Sequence, residues 1–360
     1  MNGAPPVAVI GAGMAGLACA QLLAEAGCRV DIFEKSRGPS GRMSTRRAQD
    51  PQGAWQCDHG APSFAAQDPE FVQEVRQWEQ HGVVAAWRPR AVRLQGKDVV
   101  PAEAGPDRWV GVPRMTSPAA FLVQRLAQQG HDVRLHLQTT VQQLQYESAC
   151  WTVHCAEHGQ IGSEYCALVL AVPAPQAAAL LEPVSPYAAA LAASARMQPC
   201  WVAMLRTDAA LPLDWDAAEI TDGPLCWVAR DSAKPGRQVP QVLQGPQTWV
   251  LHASARWSQD HIESDAESVA RQLLQAFEAL TGPLTGPLAG SLSDSLPGGL
   301  RVTAHRWRYA LPAPHLVNRC WWDAPAGLGL CGDWMCGAGV EGAWLSGRAL
   351  ARRALATLTR

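Results

Sequence analysis

Val7-Ala8-Val9-Ile10-Gly11-Ala12-Gly13-Met14-Ala15-Gly16-Leu17 is the stretch that decides the fold of this chain. Its first four residues are apolar and mostly β-branched, the mark of a buried strand. Three glycines follow at G-x-G-x-x-G spacing, and Leu17 to Ala26 reads as a helix. Gly11 permits a sharp turn, Gly13 lets backbone approach a pyrophosphate, and Gly16 lets the helix pack closely on the strand. The helix N-terminus then offers free N–H groups and a positive dipole end to phosphates. Arg29 to Glu34 reads as a second strand, and Glu34 ends it 18 residues after Gly16. A carboxylate placed there can accept the ribose hydroxyls of an adenosine. The motif specifies a dinucleotide without saying which one.

The chain has 360 residues, enough for a large core and two domains. Hydrophobic content of 48% and charged content of 17% fit a globular enzyme rather than a disordered or fibrous chain. A formal net charge of -2 gives no electrostatic case for nucleic-acid binding. Eleven cysteines without a C-x-x-C pair argue for reduced thiols and a cytoplasmic protein. The first strand begins too early to leave room for a secretory signal, and no apolar run reaches the roughly 18–20 residues that span a bilayer. No metal cluster, catalytic triad or Walker motif is legible, and nothing bears on oligomeric state.

Further along, Lys35 to Arg47 is a Gly/Ser loop in which Arg42, beside Gly41, can reach back over a pyrophosphate. Arg46 and Arg47 read as surface charge. Pro69 to Trp87 reads as one helix, and Ala119 to Gln129 as another, with Ser117 as N-cap. Trp151–Cys155 and Tyr165–Val172 read as arms of an antiparallel meander, and Ala266–Leu280 as an amphipathic helix. Gly282 to Gly299 reads as a Gly/Pro/Ser loop. Near the end, Leu328-Gly329-Leu330-Cys331-Gly332-Asp333 is a strand closing in Gly-Asp. A helix starts at Gly339-Val340-Glu341-Gly342. Asp333 can bind a ribityl hydroxyl, and the helix start can set its dipole against a flavin edge where negative charge develops.

Gly11 to Gly16, Glu34, Gly41-Arg42-Met43-Ser44-Thr45 and Asp58-His59-Gly60-Ala61, with the Gly332-Asp333 element, together resemble the flavin-dependent amine oxidase superfamily. Within it the chain looks most like the renalases, especially the bacterial ones. The resemblance implies an α/β fold. It would pair a Rossmann-like FAD-binding domain, of the glutathione-reductase and p-hydroxybenzoate-hydroxylase type, with an α+β substrate domain on a mostly antiparallel sheet. The expected division gives residues 1–65, 113–183 and 311–360 to FAD and residues 66–112 and 184–310 to substrate. The cofactor-site candidates are Gly11, Ala12, Gly13, Met14, Ala15, Gly16, Glu34, Lys35, Arg42, Met43, Ala61, Pro62, Ser63, Val141, Gly332, Asp333, Val340, Glu341 and Gly342. Val141 would meet the adenine through its backbone.

The resemblance further implies hydride transfer from a substrate carbon to flavin N5, with O2 as acceptor and H2O2 as product. Amine oxidases commonly hold a lysine near N5 on a substrate-domain strand. The strand Met197–Val202 has none, and Lys234 reads as part of a polar loop. That absence favours renalase-like oxidation of 2- and 6-dihydro isomers of NAD(P) over amine oxidation. A flavin amine oxidase, a desaturase-like dehydrogenase and a flavin-binding protein without turnover are the alternatives. Cys320 lacks the Gly-Gly context of a covalent flavin link, so the expected FAD is non-covalent. Fifteen tryptophans stand against four tyrosines, and Trp201, Trp227, Trp249, Trp307 and Trp334 fall on strands or strand ends. Most read as core packing. His59 and His305 read as structural histidines, with His305, Trp307 and Trp201 carried as candidates for the pocket lining.

Overall fold

The computed structural model describes residues 6–50, 53–96, 98–103, 105–237, 246–282, 300–337 and 339–358. Most of the expected Gly/Pro/Ser loop after Gly282 lies outside the described residues. A six-stranded sheet forms the first body, in the order Trp321–Asp323, Leu328–Leu330, Ala167–Leu170, Val7–Ile10, Val30–Glu34, Val133–Leu137. All its pairings are parallel except that of the edge strand Trp321–Asp323. Every residue of Val7–Ile10 and Ala167–Leu170 is buried, as expected of strands covered on both faces.

The helices Met14–Glu25 and Gly339–Leu358 pack together on one face of this sheet. They approach so closely that a Cβ on Gly347 would lie 2.1 Å from the carbonyl oxygen of Ala15. The opposite face is covered by the antiparallel meander Val141–Glu147, Cys150–Cys155 and Gly159–Tyr165. Leu144, Trp151, Val153 and Tyr165 form a core there with Ile10, Phe33 and Leu170.

The second body is a seven-stranded sheet in the order Arg301–Pro312, Met197–Thr207, Gln247–Ala253, Leu225–Arg230, Ala217–Ile220, Ala91–Gln95, Asp98–Pro101. It is antiparallel except where Ala217–Ile220 runs parallel to Ala91–Gln95. The helix Ala266–Thr281 buries Val269, Leu273 and Phe277 against its outer face, with Trp201, Leu205, Trp249 and Leu251. The inner face turns to the nucleotide-binding body and joins the core around Val9, Leu17 and Trp344.

Two readings shift at this level. The helix expected over 69–87 stops at Gln80, because Gly82 turns the chain at a φ of 67° and Val84–Trp87 continues as a strand paired with Arg108–Gly111. Of the segment 66–112, the strands Ala91–Gln95 and Asp98–Pro101 join the seven-stranded sheet, whereas the helix Pro69–Gln80 packs on the last helix. Phe71 meets Trp344 at 5.4 Å between ring centres, and Arg348 Nε donates to Glu70 at 2.8 Å. The helices Pro186–Ser194 and Ala255–Asp260 carry no expectation, being alanine-rich and very short respectively.

Candidate functional site

Gly13 stands at the N-cap of the first helix in an extended conformation, and no side chain of the described residues caps it. A Cβ on Gly13 would enter open space, whereas one on Gly16 would lie 1.9 Å from the carbonyl oxygen of Gly11. Gly16 is thus bound to its own turn, and Gly13 leaves a bare N-terminus of the kind that holds phosphate. Met14 and Ala15 are buried just behind it. The buried Glu34 carboxylate accepts the Ala12 N–H at 3.0 Å and the Ser36 N–H at 2.8 Å, which fixes it beside the loop with lone pairs left for hydroxyls. Thr139 N–H donates to the Glu34 carbonyl at 2.9 Å and so brings Val141 to the same end of the sheet. Lys35 is exposed there.

The Arg42 loop lies against the glycine loop. Ser40 N–H donates to Ala12 O at 3.0 Å, and a Cβ on Gly41 would meet Gly13 Cα at 3.4 Å. Met43 is buried beneath. Arg42 makes a bidentate pair with Asp333, at 2.8 and 2.7 Å, and donates to Ala310 O at 2.9 Å. Two residues read separately, one for pyrophosphate and one for a ribityl chain, are therefore in contact. Gly332 N–H donates to the buried Ser346 hydroxyl at 2.9 Å, which places Asp333 from the last helix. Gly342 permits the helix start, since a Cβ there would lie 1.8 Å from Gly337 O. Val340 is buried. Glu341 accepts the N–H groups of Gln67 and Asp68 at 2.6 and 2.7 Å, so its carboxylate anchors the turn into the helix Pro69–Gln80. These residues suit a flavin dinucleotide: a helix N-terminus, a ribose carboxylate, and an Arg/Asp pair further along.

Residues 58–61 join the two bodies. Ala61 N–H donates to Arg42 O at 2.9 Å, Trp307 Nε1 donates to His59 O at 2.8 Å, and His252 Nε2 meets Gly60 O at 3.0 Å. Pro62 and Ser63 continue this segment, half-buried. A Cβ on Gly60 would lie 2.0 Å from Arg42 O, so no side chain fits there. Asp58 is buried and accepts Thr45 Oγ1 at 2.6 Å, Met115 N–H at 3.2 Å and Lys234 Nζ at 3.0 Å, with Arg237 also upon it. Lys234 Nζ also donates to Asp231 at 2.6 Å. Burial alone would raise Asp58, but the charges of Lys234 and Arg237 hold it below the usual carboxylate range. Burial, then the Asp58 charge, pushes Asp231 up to about 6. Lys234 overcomes its burial through the two carboxylates and is raised.

Lys234 lies in a loop, as expected, but that loop is not solvated: its side chain is fully buried in a four-charge cluster. The spacing Asp231, Lys234, Arg237, charges three apart after a strand, was the signal available for it.

On the inner face of the seven-stranded sheet, His305, Val202, His252, Trp227 and Glu219 stand opposite one another on successive strands. Trp307 lies in the next row, opposite Cys200. His59 stacks on Trp307 at 5.4 Å and meets the edge of His305 at 4.7 Å. Burial, then His305 and Arg46, pushes His59 down to about 3; burial, then Arg46, lowers His305. Burial also lowers His252 to about 4. Three nitrogens here are buried without a partner among the described residues: His59 Nδ1, His252 Nδ1 and Trp227 Nε1. Arg46, opposite Cys57 on its hairpin, and Arg108, whose guanidinium lies 4.8 Å over the Trp227 ring, put positive charge beside the face.

Trp201, expected beside His305 and Trp307, is on the opposite face of the sheet. Strand alternation buries it in the outer core, where its indole donates to His261 O at 2.9 Å. Trp249 and Trp334 are likewise fully buried, so of the five strand tryptophans Trp227 and Trp307 serve the inner face. No group of three or more metal-ligating side chains occurs among the described residues, and no helix among them is long and apolar enough to cross a membrane.

Comparison with known proteins agrees with this geometry. An NAD(P)-binding Rossmann-like domain matches residues 9–78, and the flavin containing amine oxidoreductase family matches residues 111–355. A curated relative, carotenoid phi-ring synthase of Streptomyces griseus, is 56% identical over 41 residues, which span 11% of this chain and 8% of that protein. A candidate protoporphyrinogen oxidase from Exiguobacterium sp. 255-15 has a similar structure, with a TM-score of 0.71 at 12% identity, over 99% of this chain and 100% of that one. Putrescine oxidase bound to putrescine superposes with a TM-score of 0.68 at 13% identity, over 99% of each chain. Cyclohexylamine oxidase from Brevibacterium oxydans IH-35A gives 0.68 at 12% identity, over 99% and 100%. At such identities these structures establish the fold alone, and the family match carries the assignment. The chain belongs to the flavin containing amine oxidoreductase family.

Proposed function

We propose that the protein is a renalase-like, cytoplasmic oxidase that binds FAD non-covalently and oxidises 2- and 6-dihydro isomers of NAD(P) to NAD(P)+. The glycine loop and the Arg42–Asp333 pair would hold FAD, which when bound would supply the hydride acceptor for the substrate ring and the route for its electrons to O2, with H2O2 as product. Gly13 and the helix behind it take the pyrophosphate, Glu34 the adenosine ribose, and the last helix the far end of the cofactor.

The carrying observation is the inner face of the seven-stranded sheet. It presents His59, His305 and His252, all lowered in pKa and so neutral at pH 7, with Trp227 and Trp307. Such rings stack on a flat dihydropyridine. Arg46 and Arg108 beside it suit a substrate that carries phosphates and oppose a cationic amine. The neighbouring carboxylates are already taken: Asp58 by Lys234 and Arg237, and Glu219 by Arg108 at 3.3 Å and Arg93 at 3.8 Å. Among the described residues an ammonium meets no free carboxylate there.

The test is to mix the purified yellow protein with borohydride-reduced NAD isomers and, separately, with an amine panel, and to follow flavin bleaching and peroxide. The isomers bleach the flavin and yield peroxide. Bleaching by amines alone overturns the reading, and bleaching by neither favours a binding protein without turnover. Acid precipitation releases FAD to the supernatant if the link is non-covalent.

A further inference from the structure

We propose that Trp227 and His252 are a carboxamide-reading pair: the indole N–H donates to the amide oxygen of the substrate, and His252 Nδ1 accepts from its NH2 group. The assignment rests on the dihydronicotinamide reading of this same site and names the residues that would select that ring.

His252 Nε2 lies 3.0 Å from Gly60 O. A carbonyl only accepts, so Nε2 carries the proton. Burial keeps the ring neutral, with a pKa of about 4. Nδ1 is then a bare lone pair, and it is buried with no donor among the described residues. Trp227 is the converse. Its Nε1 can only donate, and it is buried with no acceptor among the described residues.

The two residues are directly opposite on adjacent strands, Leu225–Arg230 and Gln247–Ala253, with their side chains on the inner face. Opposed residues of antiparallel strands hold their Cβ atoms about 4.5–5.5 Å apart. Both residues are held in place. The Gly60 carbonyl holds the imidazole, and Arg108 lies over the indole ring. Buried polar groups normally find partners, so one unmet acceptor beside one unmet donor calls for a complement.

A primary carboxamide is that complement, since it offers a C=O and an NH2 from one carbon. Other headgroups fit less well. An ammonium would satisfy Nδ1 but not the indole, and it would face Arg108. A carboxylate would satisfy the indole and confront the lone pair of Nδ1. A ketone would leave Nδ1 unmet.

The test is titration calorimetry of the flavin-loaded protein with NAD+, its 3-acetylpyridine analogue and its deamido (carboxylate) analogue, together with kcat/KM on the dihydro isomers. Wild type binds the carboxamide about tenfold or more tighter than either analogue, because a site built to hydrogen-bond a group rejects molecules lacking it. Trp227→Phe keeps the ring and weakens carboxamide and ketone by a similar factor of about ten, leaving their ratio unchanged. His252→Leu brings the carboxamide-to-ketone ratio towards one, and His252→Asn, which restores an acceptor, recovers much of it. Melting curves identify variants that fold.

Wild-type affinities in folded Trp227→Phe overturn the pair, as does an unchanged ratio in folded His252→Leu. If wild type turns over the dihydro isomers and the ratios do not move, this assignment alone fails. If wild type oxidises no dihydro isomer, the functional reading and the pair fall together.

Discussion

Replacing Lys234 by methionine probes the joint between the two bodies. Methionine keeps most of the length but removes the ammonium that Asp58 and Asp231 share and that lies 5.7 Å from the Trp87 ring centre. Asp58 keeps Thr45, the Met115 N–H and Arg237, whereas Asp231 loses its 2.6 Å partner and retains Arg237 Nε at 3.9 Å. Breaking a buried ion pair from one side costs about 3–5 kcal/mol. For a chain of 360 residues unfolding as a unit, that lowers the melting temperature by about 4–7 °C.

Asp231 is the group left uncompensated, so its carboxyl rises further from its already raised position. Protonation then relieves the defect, and the loss is larger at pH 8 than at pH 5. The double variant Lys234→Met/Asp231→Leu removes both charges and recovers at least half of the loss. Differential scanning calorimetry at the two pH values measures all of this. A loss under about 1 kcal/mol, the scale of an exposed ion pair, would refute the reasoning. So would a double variant no better than the single one.

Three further outcomes follow from the same geometry. Gly16→Ala drives a methyl to 1.9 Å from Gly11 O, costs about 1–3 kcal/mol or more and empties the nucleotide site; melting temperature and the flavin absorbance of purified protein report both effects. Glu34→Gln weakens retention of FAD by about tenfold without unfolding the sheet, because a neutral amide accepts ribose hydroxyls less strongly than a carboxylate; fluorescence titration of apoprotein measures it. His59 is lowered to about 3 in the folded protein, so its contribution is fully present above 6.5 and is lost as pH falls through the window from 6.5 towards 3. The stability of wild type relative to His59→Gln accordingly declines across that window, and a pH-independent difference in melting temperature would count against a neutral buried ring.

The Rossmann-like fold of the nucleotide end was legible because its demands are local. Gly11 and Gly16 leave no room for a Cβ against the backbone of Ala171 and of Gly11, and Glu34 ends the neighbouring strand; all three residues lie within one βαβ unit. Asp333 could be placed by the same logic, but its contact with Arg42 could not, since no periodicity links residues 291 apart. Trp201 and Trp307 looked equivalent on their strands. Their faces are set by register and by the helix Ala266–Thr281, which only the assembled sheet determines. The burial of Lys234 was not legible for a related reason. A Ser/Lys/Pro/Gly stretch has loop composition, and here that loop is buried because its charges find opposite charges on another domain.

The Arg42–Asp333 contact also has a meaning for how the chain is made. The strand Ala167–Leu170 lies between Val7–Ile10 and Leu328–Leu330, so the first sheet is assembled from three distant parts of the polypeptide. During synthesis Arg42 precedes Asp333 by 291 residues, so the arginine waits until that aspartate has been made. Closing so long a loop is slow and favours late, cooperative docking. A nascent chain that stops short of Asp333 thus holds half of a dinucleotide cradle, and the cradle is completed only after that residue has been made.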